Sequence, residues 1–486
     1  MNKIILNLIL FLFPFTLFAQ AERIISLAGQ WYFKIDSLAV GEQEHWERKT
    51  FTESIHLPGS TDEAGIGNTI PIFKSILGCD RFSDYPEEAD FGMVTRKHKY
   101  IGKVWYQKDF NIDHNFEGEY TLLLERVMWQ SKVWIDGRLV SDPVDYLSSP
   151  HQHHLGPLSK GKHRLTILVD NSEIYPIGVL GHSYCPHMQT QWNGIVGKIE
   201  IQQVGTLNLK QADVFPSFAE RKIGLQLSME NKREKNAPIK LSFTVLDKQT
   251  NEIILKSQKK KTLAPGNEIL SLELPIKDPK PWNEFTPNLY QLKIEWKTNG
   301  ISFSKLIDFG FRDLGIKDKH FTINGEKILY RNNHEGMFFA QTGYPATDVA
   351  YWKNIWKLYK KHGFNAVRFH SSCPPEAAFI AADEVGLYMQ VEFFWKDGWM
   401  GWKDLIGGND ARLNQFAIDE VKQALLSYGN HPSMMLVSFG NELGGNFDWM
   451  GEQIAEFKKK DNRHFYAAGI AHNITLSDDF VEYGGK

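Results

Sequence analysis

From about residue 320 onward, short apolar stretches alternate with amphipathic segments, and this order limits the folds open to the chain. "NAVRFH", "LYMQVEFFW" and "MMLVSFGNE" are almost continuously apolar until their last residues. Between them, "DVAYWKNIWKLYKKHG", "PEAAFIAADEVG" and "AIDEVKQALLSYGN" carry apolar side chains at helical spacing. Apolar strands that alternate with helices are typical of a parallel sheet covered by helices.

Four successive predicted strands, of which "KILYRNNHEG" is the first, end in polar residues. In chain order they carry Asn333, His334 and Glu335; Arg368 and His370; Glu392; and Asn441 and Glu442. In a (β/α)₈ TIM barrel the carboxyl ends of the strands converge on one mouth, where active sites lie. We therefore predict such a barrel with a catalytic mouth. The alternative is that the single residues have structural roles. Arg368 would then only form an ion pair with Glu392, and the histidines would be core residues whose hydrogen bonds are made within the protein.

The preceding part of the chain has the sequence pattern of short strands separated by turns. "LAGQWYFKID" places Trp31, Phe33 and Ile35 on one face, which indicates a half-buried strand. Asp136-Gly137 between two apolar runs predicts a hairpin turn. Many short strands with Gly and Pro between them favour a β-sandwich.

We divide the chain into four parts on these patterns. Residues 1–21 form a signal peptide and residues 22–205 a sugar-binding-like jelly-roll β-sandwich. Residues 206–312, with six or seven evenly spaced strands, form an immunoglobulin-like β-sandwich. Residues 313–486 form a partial TIM-barrel catalytic domain.

The N-terminus has the pattern of a secretory signal. Lys3 precedes an apolar run from residue 4 to 18, and small residues follow at Ala19 and Ala21, after either of which we expect cleavage. The alternative, an uncleaved anchor, is disfavoured because Pro14 interrupts a run that is short for a membrane span. We predict a periplasmic or secreted protein without a membrane anchor after cleavage.

The net charge and the cysteine spacing argue against a nucleic-acid-binding protein, a disulfide framework and a cysteine metal site. A net charge of −3 gives no basic footprint for nucleic acid. The three cysteines, Cys79, Cys185 and Cys373, are spaced neither as a disulfide framework nor as a metal motif. Carbohydrate is the expected partner, and a homo-oligomer is left open.

The domain order and three motifs resemble glycoside hydrolase family 2, which includes β-galactosidases, β-glucuronidases and β-mannosidases. "GFRDLGIKDKHFTINGEKILYRNNHEG" resembles the start of that family's barrel. "HGFNAVRFHSSCPPEAAFIAADEVGLYMQVE" resembles its second and third strands, and "SFGNE" its acid/base signature. The resemblance runs from about residue 24 to the end of the chain.

The resemblance implies roles for the residues at the strand ends. Glu442 would be the general acid/base, and Asn441 would bind the hydroxyl next to the anomeric carbon. The other substrate-binding candidates are His334, Arg368, His370, Glu392 and Trp395. The acid must stay protonated near neutral pH, and Phe439 with the segment "FFWKDGWMGW" could supply the apolar surroundings that this needs.

Two departures from the family pattern qualify these roles. Some β-galactosidases of the family hold magnesium with a Glu-x-His after the third strand, but "VEFFW" lacks the His, so we predict no metal and no other cofactor. The family's nucleophile is a Glu at the end of the seventh strand, and only about five of eight strands can be placed before Lys486. We expect the nucleophile beyond Lys486, with Glu482 a poor substitute and the 486-residue chain inactive alone.

The leading functional prediction is a retaining exo-β-glycosidase that hydrolyses oligo- or polysaccharides and is most like a β-galactosidase. The alternatives within the class are a β-glucuronidase and an α-L-arabinopyranosidase. The alternative from another class is an inactive fragment or a carbohydrate-binding protein that uses the first sandwich.

Overall fold

Antiparallel sheets make up the first two thirds of the chain, and a parallel sheet with helices makes up the rest. The computed structural model describes residues 24–69, 98–175, 191–337, 339, 341–393, 405–441, 443–470 and 474–480. In this part of the chain, no helix has both the length and the apolar character needed to cross a membrane.

The first antiparallel region contains thirteen described strands and one short 3₁₀ helix at Trp46–Arg48. The strands are β1 (Ile24–Ser26), β2 (Gly29–Asp36), β3 (Glu53–Leu57), β4 (Gly59–Ser60), β5 (Asn68–Thr69), β6 (His98–Lys99), β7 (Lys103–Ile112), β8 (Gly118–Val127), β9 (Gln130–Ile135), β10 (Arg138–Leu139), β11 (His151–Gly156), β12 (Gly161–Asp170) and β13 (Gly194–Gly205). One sheet has the order β1-β13-β8-β11 with β4 also paired to β13, the other has the order β10-β9-β12-β7-β2-β3, and β5 pairs with β6.

Local sequence signals account for parts of this sandwich. The predicted alternation in β2 is confirmed, because Trp31 and Phe33 are buried in the core between the two sheets while Tyr32 is exposed. The predicted hairpin is confirmed as well. Asp136 and Gly137 have φ of 51° and 76° and connect β9 to β10, which is the backbone of a tight two-residue hairpin turn.

A second sandwich follows, with its own core. Its strands are β14 (Leu207–Ser217), β15 (Lys222–Asn231), β16 (Ala237–Asp247), β17 (Ile253–Leu263), β18 (Gly266–Pro275), β19 (Tyr290–Thr298) and β20 (Ile301–Phe309). Three strands in the order β14-β15-β18 face four in the order β17-β16-β19-β20. The lysine-rich β17 is an edge strand whose residues 259–261 are exposed, and such lysines discourage strand-to-strand association.

The remaining described residues form a small antiparallel sheet and then a parallel one. The antiparallel strands are β21 (Leu314–Lys317), β22 (His320–Ile323) and β23 (Glu326–Lys327). The parallel strands, adjacent in chain order, are β24 (Asn332–Glu335), β25 (Ala366–Phe369), β26 (Tyr388–Val391), β27 (Met434–Asn441) and β28 (Phe465–Ile470). The helices are α1 (Val349–Lys361), α2 (Glu376–Val385), α3 (Ala411–Tyr428) and α4 (Phe447–Lys460). The predicted alternation of strands and helices is confirmed.

One strand differs from the sequence-based expectation. The predicted strand "KILYRNN" ends in polar residues, whereas β24 consists only of Asn332–Glu335. Ile328 and Tyr330 instead pack into a small apolar cluster, where the ring of Tyr330 lies 5.9 Å from that of Phe321. Tertiary packing therefore takes the apolar residues out of the strand and leaves the polar ones in it.

Helix α1 packs on one face of the parallel sheet. The Asp348 side chain accepts a hydrogen bond from the Tyr351 N–H at 2.7 Å and caps the helix. Trp352 and Trp356 are buried against Phe369 of β25, with ring separations of 6.1 and 6.0 Å. Because successive side chains in a strand point to opposite faces, Arg368 points away from the helix.

The first sandwich also contacts helix α3 through a buried glutamate. Glu420 Oε1 accepts a hydrogen bond from the Leu147 N–H at 2.6 Å, and Oε2 accepts one from the Ser148 N–H at 3.1 Å. Burial raises the pKa of Glu420 to about 7. The junction therefore holds a carboxyl group whose ionisation is costly.

We expect the contribution of Glu420 to the stability of the protein to fall as pH rises from about 4.5 to about 7. Between the ordinary pKa and the raised one, the folded state binds more protons than the unfolded state, so raising the pH favours unfolding. The contribution is at most about 3.5 kcal/mol, since the shift from 4.5 to about 7 is 2.5 units and one pKa unit corresponds to about 1.4 kcal/mol. Calorimetric Tm values of the wild type and Glu420→Gln from pH 5 to 8 measure it, and equal slopes would contradict it.

Candidate active site

Three polar side chains from neighbouring parallel strands are joined in one network. Arg368 follows Val367 in β25 and donates from Nε to Glu392 Oε1 at 2.8 Å. Its Nη2 also lies 2.6 Å from Glu392 Oε1 and donates to Asn441 Oδ1 at 2.7 Å. The arginine therefore connects the ends of the third and fourth strands, as the convergence of polar strand ends predicts.

The ion pair in this network is almost fully removed from solvent. The side chains of Arg368 and Glu392 are 8% and 0% exposed. The second carboxylate oxygen of Glu392, Oε2, accepts a hydrogen bond from the Ser371 N–H at 2.8 Å. The ion pair expected between these two residues is present, and the network extends beyond the pair to Asn441 and to the loop after β25.

The contact with Arg368 fixes the orientation of the Asn441 amide. A guanidinium group has donors only, so the amide atom that faces it must be the oxygen. The amide nitrogen of Asn441 then lies on the other branch of the side chain and can donate to a substrate oxygen. Asn441 is buried and precedes Glu442 directly in the chain.

Two histidines lie beside this network. His334 is in register with Arg368 across β24 and β25, and its ring centre is 4.8 Å from that of His370, at an interplanar angle of 86°. Burial lowers the pKa of His334, and the nearby charge of Arg368 lowers it further. The lowered pKa favours the uncharged ring, and a neutral imidazole can exchange hydrogen bonds with hydroxyl groups.

Two residues that the sequence places near the mouth point elsewhere. Glu335 Oε1 accepts from the Met337 N–H at 3.0 Å and Oε2 from the Tyr359 hydroxyl of α1 at 3.3 Å, and burial raises the pKa of Glu335. Phe439 packs on helix α4, with its ring 6.3 Å from Trp449 and 6.0 Å from Phe457. The Phe439 ring therefore belongs to the layer between the sheet and α4, while Glu442, whose surroundings it was expected to form, lies outside the described residues.

The described residues also add one group that no sequence pattern predicts. Ser371 contributes its backbone N–H, and its φ of +50° is unusual for a residue with a side chain.

The predicted site residues Glu442 and Trp395 lie outside the described residues, as does most of "FFWKDGWMGW". Among the residues that the structure describes, no three His, Cys, Asp or Glu are grouped so that they could hold a metal ion.

Comparison with known families agrees with this architecture. The family model "Glycosyl hydrolases family 2" matches residues 209–312. The model "Glycosyl hydrolases family 2, TIM barrel domain" matches residues 314–467, the region of the parallel sheet. Among solved structures, a putative β-galactosidase from Bacteroides fragilis superposes with a TM-score of 0.73 at 15% identity and covers 96% of this chain and 67% of that one. A family 2 member from Bacteroides cellulosilyticus superposes with a TM-score of 0.71 at 17% identity, covering 95% and 60%.

Curated relatives carry the names of two activities. A putative β-glucuronidase of Formosa agariphila is 28% identical over 402 residues, which is 79% of this chain and 36% of that protein. A β-galactosidase of Oenococcus oeni is 23% identical over 439 residues, which is 87% of this chain and 40% of that protein. The chain thus spans well under half the length of these two relatives. Since the two family models together match more than half of the chain, the protein belongs to glycoside hydrolase family 2.

Proposed function

We propose that the protein is a retaining exo-β-glycosidase that hydrolyses the O-glycosidic bonds of oligo- or polysaccharides. We further propose that its substrates are β-galactosides, in which the glycone is galactose. The observation that carries the proposal is the buried network of Arg368, Glu392 and Asn441 at neighbouring strand ends. The network orients the amide of Asn441, the residue that directly precedes the proposed acid/base Glu442 in the chain.

The geometry separates positioning groups from reacting ones. Both oxygens of Glu392 accept hydrogen bonds, from Arg368 and from the Ser371 N–H, so we assign this carboxylate to positioning and not to attack on the sugar. Asn441 would donate its amide N–H to the 2-hydroxyl group. Glu442 would protonate the leaving oxygen and then activate water, while a second carboxylate about 5 Å away serves as nucleophile.

Charge balance supports a neutral glycone. Arg368 is the buried cation of the network, and its charge is balanced by Glu392 at 2.6 Å. Among the described residues, this network therefore offers a sugar carboxylate no uncompensated cation, whereas the hydroxyls of a galactoside need only neutral donors and acceptors. A β-glucuronide is the second candidate, favoured by the relative named as a putative β-glucuronidase.

A panel of substrates tests the proposal. The product of the gene's whole open reading frame is assayed with the nitrophenyl derivatives of β-galactose, β-glucuronic acid and α-L-arabinopyranose. We expect turnover of the β-galactoside, with NMR showing the β-anomer of galactose as the first product. A preference for the glucuronide would replace the glycone assignment. Sugar binding without turnover of any glycoside would favour the carbohydrate-binding alternative.

We also propose that the protein is exported, on the basis of its N-terminal pattern. Expression in a Gram-negative host from the natural start codon should give a mature chain that begins at Gln20 or Glu22. N-terminal sequencing measures this, and a chain that still begins at Met1 would contradict it.

Asn441→Ala should reduce kcat more than it raises KM. The hydrogen bond to the 2-hydroxyl strengthens as the transition state develops, and such bonds supply part of several kcal/mol, so we expect a loss of about 10²-fold in kcat. Asn446→Ala is the matched control, because Asn446 lies on the same loop but caps α4 through the Trp449 N–H at 3.1 Å. It should cost about 1 kcal/mol of stability and leave kcat unchanged. A rise in KM at constant kcat for Asn441→Ala would contradict its assigned role.

A further inference from the structure

Arg126 crosses from the first sandwich to the parallel-sheet domain. It lies near the end of β8 and is 3% exposed. Its Nη1 donates to the Leu147 carbonyl oxygen at 2.9 Å, within the first sandwich, and its Nη2 donates to the Cys373 carbonyl oxygen at 2.7 Å, in the loop after β25. One buried guanidinium therefore holds two carbonyl groups that are far apart in the chain.

The loop that Arg126 reaches, residues 370–375, is the loop that completes the polar network. Ser371 donates its N–H to Glu392 Oε2 at 2.8 Å, and the Glu392 N–H donates to the Ser372 carbonyl oxygen at 3.1 Å. Glu392 in turn accepts from Arg368 at 2.8 Å. The loop is thus fixed at one end by the network and at Cys373 by the sandwich.

The backbone of this loop needs such support. Ser371 has φ of +50°, a conformation that costs free energy for a residue with a side chain and persists only when the surroundings hold it. Glu392 holds the N–H side of the loop and Arg126 holds a carbonyl two residues later. Without the second contact, a buried carbonyl loses its partner and the loop can relax toward an ordinary backbone conformation.

We propose that Arg126 is a positioning residue for the glycosidase reaction: from the first sandwich it holds loop 370–375 so that the Ser371 N–H, Glu392 and Arg368 keep Asn441 in its catalytic orientation. The inference rests on the proposed function for its catalytic readout. It gives the first sandwich a part in the active site other than the binding of sugar.

Two variants of Arg126 and one control test the proposal in the full-length protein. Arg126→Gln removes the charge and the double contact, and Arg126→Lys keeps a buried cation that can reach only one carbonyl at a time. Glu420→Gln is the control, because Glu420 holds Leu147 and Ser148 in the same junction but bonds to the sandwich segment and not to loop 370–375 in the described contacts. We measure kcat, KM and Tm for each variant.

We expect both Arg126 variants to lose about 10²-fold or more in kcat with a smaller change in KM, since a misplacement of about 1 Å at a site costs this much. Glu420→Gln should lower Tm but leave kcat within about twofold when assayed well below its Tm. If Arg126→Gln does not fold, Arg126→Lys supplies the comparison. Equal kcat values for the Arg126 variants and the control would overturn the proposal.

A second readout does not depend on activity. Hydrogen exchange of the peptide that covers residues 370–376 is compared in the wild type, Arg126→Lys and Glu420→Gln. We expect faster exchange in Arg126→Lys alone. If the wild type turns over no glycoside but this difference is seen, the loop contact stands and the proposed function fails. If exchange is unchanged, the positioning role itself fails.

Discussion

Glu442→Gln is expected to reduce turnover of substrates with poor leaving groups by about 10²- to 10⁴-fold, the usual contribution of a general acid. Gln can accept the same hydrogen bonds but cannot donate a proton to the leaving oxygen. Aryl glycosides with strongly acidic phenols need little protonation, so their first step should be nearly unchanged. The measurement is kcat/KM for a series of aryl glycosides with leaving groups of increasing pKa, which should show a much steeper dependence in the variant.

Glu452→Gln is a suitable control for this experiment. Glu452 is an exposed residue of α4, ten positions further along the chain, so its substitution should leave the whole series unchanged. If Glu442→Gln lost the same factor with good and poor leaving groups, the residue would not be the acid. Added azide offers an independent check, because a small nucleophile should accelerate the second step of a variant that lacks its general base.

Glu392→Gln is expected to destabilise the protein by about 3–5 kcal/mol, the usual cost of removing one partner from a buried ion pair. The side chains of Arg368 and Glu392 are 8% and 0% exposed, so bulk solvent does not replace the missing charge. Catalysis should fail as well, because the single acceptor oxygen of Gln cannot align both the Ser371 N–H and the Arg368 guanidinium, as the two oxygens of Glu392 do.

A double variant separates these two effects. Replacing both partners, as Arg368→Met with Glu392→Leu, removes both charges, and such replacements are often neutral or stabilising. We expect the double variant to recover most of the Tm lost by Glu392→Gln while remaining inactive, since Asn441 then lacks the donor that orients it. Recovery of turnover together with Tm would show that the ion pair is structural only.

Local sequence determined much of the fold. Trp31 and Phe33 alternate with exposed neighbours, Asp136-Gly137 forms its hairpin, and Trp352 lies on the buried face of α1 as its spacing predicts. Each of these outcomes depends on the period of a single element or on the backbone preference of one or two residues. The convergence of polar strand ends was also predictable, because parallel strands bring their carboxyl ends to one edge.

Tertiary structure alone decided how the polar residues are used. His334 and Glu335 are adjacent in one short strand, yet one lies beside Arg368 and the other contacts Tyr359 of α1. The sequence shows that neighbouring side chains point to opposite faces, but which face is the site depends on pairing and on the helix that covers the sheet. Contacts such as that of Arg126 with Cys373 join residues separated by 247 positions. Such contacts form only where the two domains pack against each other, so no local sequence pattern predicts them.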